Sequence, residues 1–342
     1  MPCANRPSSQ RLRDTGLLLR ALCLVAAIVA TSLCGTFTTT GAASNGTPTG
    51  SGAGLPDLPP LPAGTARAAG PVRVVATTPM LADLVRQIGG PRVEVASILP
   101  PNADPHEFEP TPPDLVTVED AALIVEHGLH LDFWAADLIK NAGAKAPVVV
   151  ATKDVPTLDS DEEGFTEGDP HVWFDPTNVQ MMVATIAAGL VAVDPDGVDT
   201  YTARRDAYRQ QLDQLDTWIK SQIATIPADR RKLVTNHDAF GYFVARYGLT
   251  FVGSVIPSLD TGAEPSARDT AELIDKIKAE GVPAIFTEVS VNPELERELA
   301  DQARITVVAN LYGDTLGPPG SGADTYIGFM ETDTRLIVEA LR

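Results

Sequence analysis

From residue 71 onward, short β-branched runs alternate with segments whose apolar residues recur at helical spacing. Strand-like runs fall at 72–76, 93–99, 121–126 and 147–152. A second series follows at 232–235, 249–256, 283–288 and 304–310. Helical patterns lie between them, as in "PMLADLVRQIGG", and recur at 265–280 and 324–341. Strand, helix, strand at this spacing predicts parallel sheets covered by helices, and two such series predict two α/β lobes, 71–195 and 228–342. Between them, Tyr201, Tyr208, Leu212, Leu215, Ile219 and Ile223 keep a helical period. They predict one long linking helix across 196–227, about 30 residues and about 45 Å long. Asp196 or Asp199 is placed to cap its start, and Pro227 marks its end.

The first seventy residues follow another pattern. "RLRDTGLLLR" supplies positive charge, "ALCLVAAIVA" a short apolar core, and Gly41-Ala42-Ala43 a cleavage site. Residues 1–43 read as an export signal, too short in its apolar run for a comfortable membrane span. Residues 44–70, rich in Gly, Ser, Thr, Ala and Pro, read as a flexible tether. All three cysteines (Cys3, Cys23, Cys34) lie in the leader, so the rest of the chain has neither disulfides nor thiolate metal sites. Cys34 is a candidate lipidation site, although Leu33 before it is bulkier than such signals usually tolerate. The protein is therefore expected outside the cytoplasmic membrane, periplasmic or held at its outer face.

The whole chain carries a net charge of -19. That acidity argues against a nucleic-acid partner and against docking on anionic lipid. It is compatible with a cationic ligand without specifying one.

The five histidines change the picture. Two share a frame, "DPHEFEP" at 104–110 and "DPHVWFDP" at 169–176: Asp-Pro-His, an aromatic two residues on, then an acid before Pro. His106 follows a strand in a loop stiffened by prolines, and rigid loops suit metal ligation; the competing reading is a capping or surface histidine. His171 follows the last strand of its lobe, with Trp173 and Phe174 placed to shield it; otherwise it is one ring of an aromatic cluster. His237, in "LVTNHDAFGYF", sits just past the first strand of the second lobe, with Asp238 placed to cap the next helix. Ligands gather at the carboxyl ends of strands in open parallel sheets, which favours ligation at His106 and His237, and the repeated frame favours it at His171. Asp314, in "LYGDTLG", would alone be a turn former; beside three histidines it becomes a fourth ligand. Glu288, ending its strand, is either a fifth ligand or, the preferred reading, a group holding an imidazole N–H from behind. Asn236 and Asp238 are candidates for similar parts. Gly128 argues against a helical His127–His130 pair, leaving both as surface or loop residues. The acidic run at 158–169 is expected to be a solvated, mobile loop, with a weak cation-collecting role as the alternative.

The motifs "PHEFEPTPPDL", "DPHVWFDP", "TNHDAFGYF" and "YGDTLGPPG", in this order and over nearly all of 71–342, resemble the solute-binding proteins of ABC-type zinc and manganese importers. That resemblance implies two four-stranded α/β lobes joined by one long helix. It implies a metal held between them by His106, His171, His237 and Asp314, and delivery to a membrane permease with its ATPase. Zinc is expected over manganese, because family members selecting manganese tend to carry an acid where this chain has His237. Unlike many zinc receptors, the chain has no histidine-rich loop before His171. The expected protein is a monomeric receptor and not an enzyme. An exported zinc hydrolase would need an open fourth position, which Asp314 fills, and no helical His-Glu-x-x-His is present. For a surface adhesin, a role also given to family members, the sequence has no feature for or against.

Overall fold

A computed structural model of the chain describes residues 54–342. The export signal, Cys34 and residues 44–53 of the tether lie outside the described residues. The elements run β1 (Val72–Ala76), α1 (Pro79–Gly89), β2 (Val93–Ser97), α2 (Pro112–Glu119), β3 (Leu123–Glu126), α3 (Ala135–Ala142), β4 (Val148–Val150), α4 (Pro176–Val193), α5 (Val198–Ile223), β5 (Lys232–Thr235), α6 (Gly241–Tyr247), β6 (Thr250–Ser254), α7 (Ala267–Glu280), β7 (Ala284–Glu288), α8 (Glu294–Ala303), β8 (Thr306–Leu311) and α9 (Tyr326–Leu341). All eight strands lie within or beside the runs read from the sequence.

The first four strands form one parallel sheet in the order β2-β1-β3-β4. In the second half, β5 pairs with β6 and β7 with β8, both parallel. β5 lies beside β7, but the two pairs do not join in one hydrogen-bonded ladder. The second half therefore has two parallel pairs where one four-stranded sheet was expected. Both pairs carry a register shift, at Leu233/Val234 and between Phe286 and Glu288. Opposite the latter, Asn310 takes a left-handed φ of 70°. Such bulges re-aim the chain, and here they do so just ahead of His237, Glu288 and Asp314.

Helix starts follow local chemistry. Thr78 caps α1 with Pro79 in the first turn, and Asp175 caps α4 with Pro176 in the same place. The acid-Pro step ending the second repeated frame is thus a helix start, where a fixed φ and a missing N–H cost nothing. Thr111 and Asp114 form a capping box on α2, as Ser266 and Asp269 do on α7.

The linking helix α5 has 26 residues, about 39 Å, and buries all six residues of the predicted stripe. Its N-cap is Gly197, without a side-chain cap, so neither Asp196 nor Asp199 plays that part. It packs on α1 and α4 from the first half and on α9 from the second. α4 is long and apolar enough to cross a membrane. It instead buries Val179, Met182, Val183 and Ile186 in the protein core.

The described part of the tether is not free. Pro59 and Pro62 carbonyls accept hydrogen bonds from Gln211 and Arg204 of α5, and the Thr65 amide donates to Thr200. Leu55 and Leu61 pack on the core. Proline-rich chain is already extended and loses little entropy on docking, which explains why 54–66 runs antiparallel along α5. The strap ends at a buried ion pair. Arg92 binds Asp194 through two hydrogen bonds of 2.8 and 2.9 Å, and Tyr201 donates to the same carboxylate.

One core cluster runs through both halves. Beneath the mouth of the sheets, Phe174 meets Phe240 at 4.2 Å between ring centroids and Phe329 at 5.6 Å. The Tyr326 hydroxyl donates to the Trp173 carbonyl, and the Trp173 indole to the Gly313 carbonyl. The halves are therefore packed together as well as linked.

Candidate metal centre

The repeated frame is a turn that aims an imidazole. In both copies the aspartate accepts the backbone N–H of the histidine two residues on, His106 to Asp104 and His171 to Asp169, each at 2.9 Å. This is an Asx turn with proline at its centre. The aromatic two residues past each histidine is a wedge: Phe108 packs on Trp134, and Trp173 lies edge-on to His171.

His106 follows β2, His237 follows β5 and Asp314 follows β8, while His171 comes from the long connection after β4. All four are buried, and one ligand atom from each lies within 4.8 Å of all the others. Asp314 Oδ2 is 3.2 Å from His237 Nε2 and 3.6 Å from His106 Nε2, and Asp314 Oδ1 is 3.5 Å from His171 Nε2. The Nε2 atoms of His171 and His237 are 3.3 Å apart. Donors at the corners of a tetrahedron with bonds of about 2.0–2.1 Å lie about 3.3 Å from one another; these contacts are near that spacing, and the full set of one atom per ligand spreads to within 4.8 Å.

The far nitrogens determine which atoms face inward. His171 Nδ1 lies 2.7 Å from Asp169 Oδ1, and His237 Nδ1 lies 2.9 Å from Glu288 Oε1. A carboxylate can only accept, so each ring donates its Nδ1–H outward and aims Nε2 inward, where it can bind an ion once any proton there has left. His106 Nε2 and both oxygens of Asp314 have no hydrogen-bond partner despite burial. Buried acceptors facing one another around a carboxylate are unfavourable unless a cation, a proton on His237 or a metal ion, sits among them.

The electrostatics are uneven. Burial pushes His106 down to about 3, against the pull of Asp314, so this ring is neutral. Burial also works against charge on His237, but Glu288 and Asp314 outweigh it and hold His237 well above the ordinary imidazole range. Burial alone would raise Asp314; the imidazoles, His237 foremost, outweigh it and keep the carboxylate ionised. Asp104 is pushed up to about 6 by burial and then by Asp314.

Glu288 lies where a group behind the ligands was expected. Among the described residues, neither Asn236 nor Asp238 makes a hydrogen bond to a ligand imidazole. Asn236 turns away to Glu296, and Asp238 is half-buried with its N–H on the Ser258 carbonyl. Asp238 does not cap α6 either, whose N-cap is Phe240. His127, expected at the surface, is buried with Nε2 2.9 Å from the Pro170 carbonyl, where it supports the turn that carries His171. His130 is exposed and stacked on Phe133. The acidic run is not simply solvated. Phe165 is buried beside His106, and Glu162 binds Ser258 and the Leu259 amide.

Asp169 and Gly313 escaped the sequence reading. The aspartate two residues before each histidine was the available sign of the first. The second is visible only in three dimensions. A Cβ on Gly313 would stand 1.8 Å from Glu288 Oε2. Gly313→Ala should therefore displace Glu288 from His237 and weaken metal binding about 10–100-fold, the usual effect of losing a ligand's outer partner. A competition titration against a chelator measures this.

Comparison with known proteins follows the same lines. Over 281 residues the chain is 35% identical to the zinc-binding protein TroA of Treponema pallidum, covering 81% of this chain and 91% of that protein. It is 34% identical over 271 residues to the manganese-binding lipoprotein MntA of Halalkalibacterium halodurans, covering 79% and 88%. The solved structure of the periplasmic zinc binding protein TroA from Treponema pallidum matches with a TM-score of 0.74 at 33% identity, over 80% of this chain and 99% of that one. The family model for the periplasmic component A of the zinc-uptake complex matches residues 74–340. With two parallel α/β halves, a long helix between them and polar groups converging at the strand ends, the chain belongs to that family of periplasmic zinc-uptake components.

Proposed function

We propose that this protein is the exported receptor of an ABC importer, capturing a divalent transition-metal ion through His106, His171, His237 and Asp314 and handing it to a membrane permease served by an ATPase. The observation that carries the reading is the buried set of three imidazoles and one carboxylate, converging on one point, with His106 Nε2 and both Asp314 oxygens left without hydrogen-bond partners. Zinc is the preferred cargo, because nitrogen-rich, borderline-soft donors at tetrahedral spacing suit it. A specific observation also favours manganese as a second reading. Both Asp314 oxygens face imidazoles, so a bidentate carboxylate would supply five donors with more oxygen character. The relatives are named for either metal.

All four donor side chains are buried, which suits an ion held by the protein more than one offered to a substrate. This arrangement supports a receptor over a hydrolase. Competition titrations of the metal-free protein with zinc and manganese, together with metal analysis of protein from its native cell, test the choice. Tighter retention of manganese in both overturns zinc. Absence of tight binding by either metal overturns the receptor.

Acid should weaken capture. A ligating imidazole must give up its proton, and His237 holds one above the ordinary imidazole range in the metal-free protein. His106 is neutral already and gives up none. Each ion should therefore release at least one proton near neutrality, and affinity should fall about tenfold per pH unit below the His237 transition. Calorimetry in buffers of different ionisation enthalpy counts that proton.

A further inference from the structure

The loop at 158–169 lies between β4 and α4, yet it is closed onto the other half of the molecule. It is first closed on itself: the Asp169 amide donates to the Leu158 carbonyl at 2.9 Å, and Thr157 Oγ1 to the Glu167 carbonyl at 3.0 Å. Its base is gripped by Tyr242 of α6, whose hydroxyl accepts from the Leu158 amide and donates to the Asp169 carbonyl. Its tip is gripped by the turn after β6. Glu162 accepts from Ser258 Oγ through one oxygen and from the Leu259 amide, at 2.9 Å, through the other. Between base and tip, Phe165 is 3% exposed, its ring 6.3 Å from that of His106. Gly164 and Gly168 flank it with φ of 95° and 107°, conformations that let the segment turn sharply. The receiving turn is held to the first half a second time, by Thr261 Oγ1 on Asp104 at 2.7 Å.

We propose that the loop 158–169 is a lid over the metal centre, and that Glu162, clasped to Ser258 and Leu259, controls how fast the ion enters and leaves. The proposal rests on the receptor reading above. Glu162 is not among the converging donors, and a clasp made alike in the empty and the loaded protein changes both rates together and leaves the equilibrium affinity unchanged. Charge-assisted hydrogen bonds are stronger than neutral ones, which makes two on one carboxylate an effective latch. Asp169, at the foot of the lid, also holds His171, so lid position and ligand orientation share one hinge.

The test is stopped-flow exchange of zinc on the mature protein, with association followed directly and dissociation driven by a chelator. Glu162→Ala should speed both association and dissociation by about tenfold or more, leaving Kd within about threefold of wild type. Glu162→Gln, which retains one acceptor, should fall between. Ser258→Ala should add nothing in the Glu162→Ala background, because both remove the same clasp. A dissociation rate within twofold of wild type overturns the gate. Faster dissociation with an equal loss of affinity and unchanged association also overturns it, by making Glu162 part of the binding energy. Limited proteolysis of the loop in metal-free protein reads the clasp independently, with faster cleavage expected in Glu162→Ala. If the wild type takes up neither zinc nor manganese, the receptor reading fails and the gate with it, while proteolysis still reports whether the clasp exists.

Discussion

His171→Ala should lower zinc affinity by about a hundredfold to a thousandfold, and His237→Ala and Asp314→Ala should do the same. Four-donor zinc sites supply about 10–16 kcal/mol, so one donor accounts for roughly a quarter of that. The loss is not recovered locally. His171 is 0% exposed and wedged against Trp173, so its removal leaves a hole that no neighbouring donor can swing into. His130→Ala is the control. That ring is exposed and stacked on Phe133, outside the converging donors, and its removal should change affinity less than about threefold. Calorimetry against a competing chelator measures all four, and equal losses at His171 and His130 would reject the assignment.

Phe240→Ala should destabilise the protein by about 3–5 kcal/mol, the cost of emptying a fully buried aromatic site. Phe240 is 0% exposed and meets Phe174 from the other half at 4.2 Å, inside a core cluster continuous across both. Chemical denaturation followed by fluorescence and circular dichroism should therefore show one shifted transition by both probes. Two separated transitions in the wild type would show that the halves unfold independently and that the shared core does not couple them. The same packing bears on delivery. With α5 and an aromatic floor joining the halves, wide hinge motion would expose that floor. The lid and the turn it grips are the parts that can move at least cost.

Much of this was legible in local pattern. Strand positions follow β-branched runs because half-buried sheets favour such residues. The α5 stripe follows from helical period, and all six of its predicted residues are buried. His106, His237 and Asp314 were picked out because each lies past the end of a strand, and His171 because it repeats the frame of His106. The misreadings share a cause. His127, read as a surface or loop residue, lies in a loop but is buried, and residues 158–169 looked solvated, because composition reports polarity but not what a polar group will meet. Glu162 finds its partners about a hundred residues away, and Asn236 finds Glu296 at a distance of sixty. The tether was read from its proline and glycine content, which does not reveal that its carbonyls would find donors on α5.

By itself, the sequence determined the α/β alternation, the long helix, the acidic exported character and the four side chains able to bind a metal, since each depends on near neighbours or on residue type. Tertiary structure alone decided that those four meet within 4.8 Å, that Asp169 and Glu288 turn two imidazoles inward, that Gly313 leaves room for Glu288, and that the acidic loop is latched shut. The physical reason is reach: hydrogen bonds and ligand geometry act over about 3 Å, and only the folded chain brings such distant positions that close.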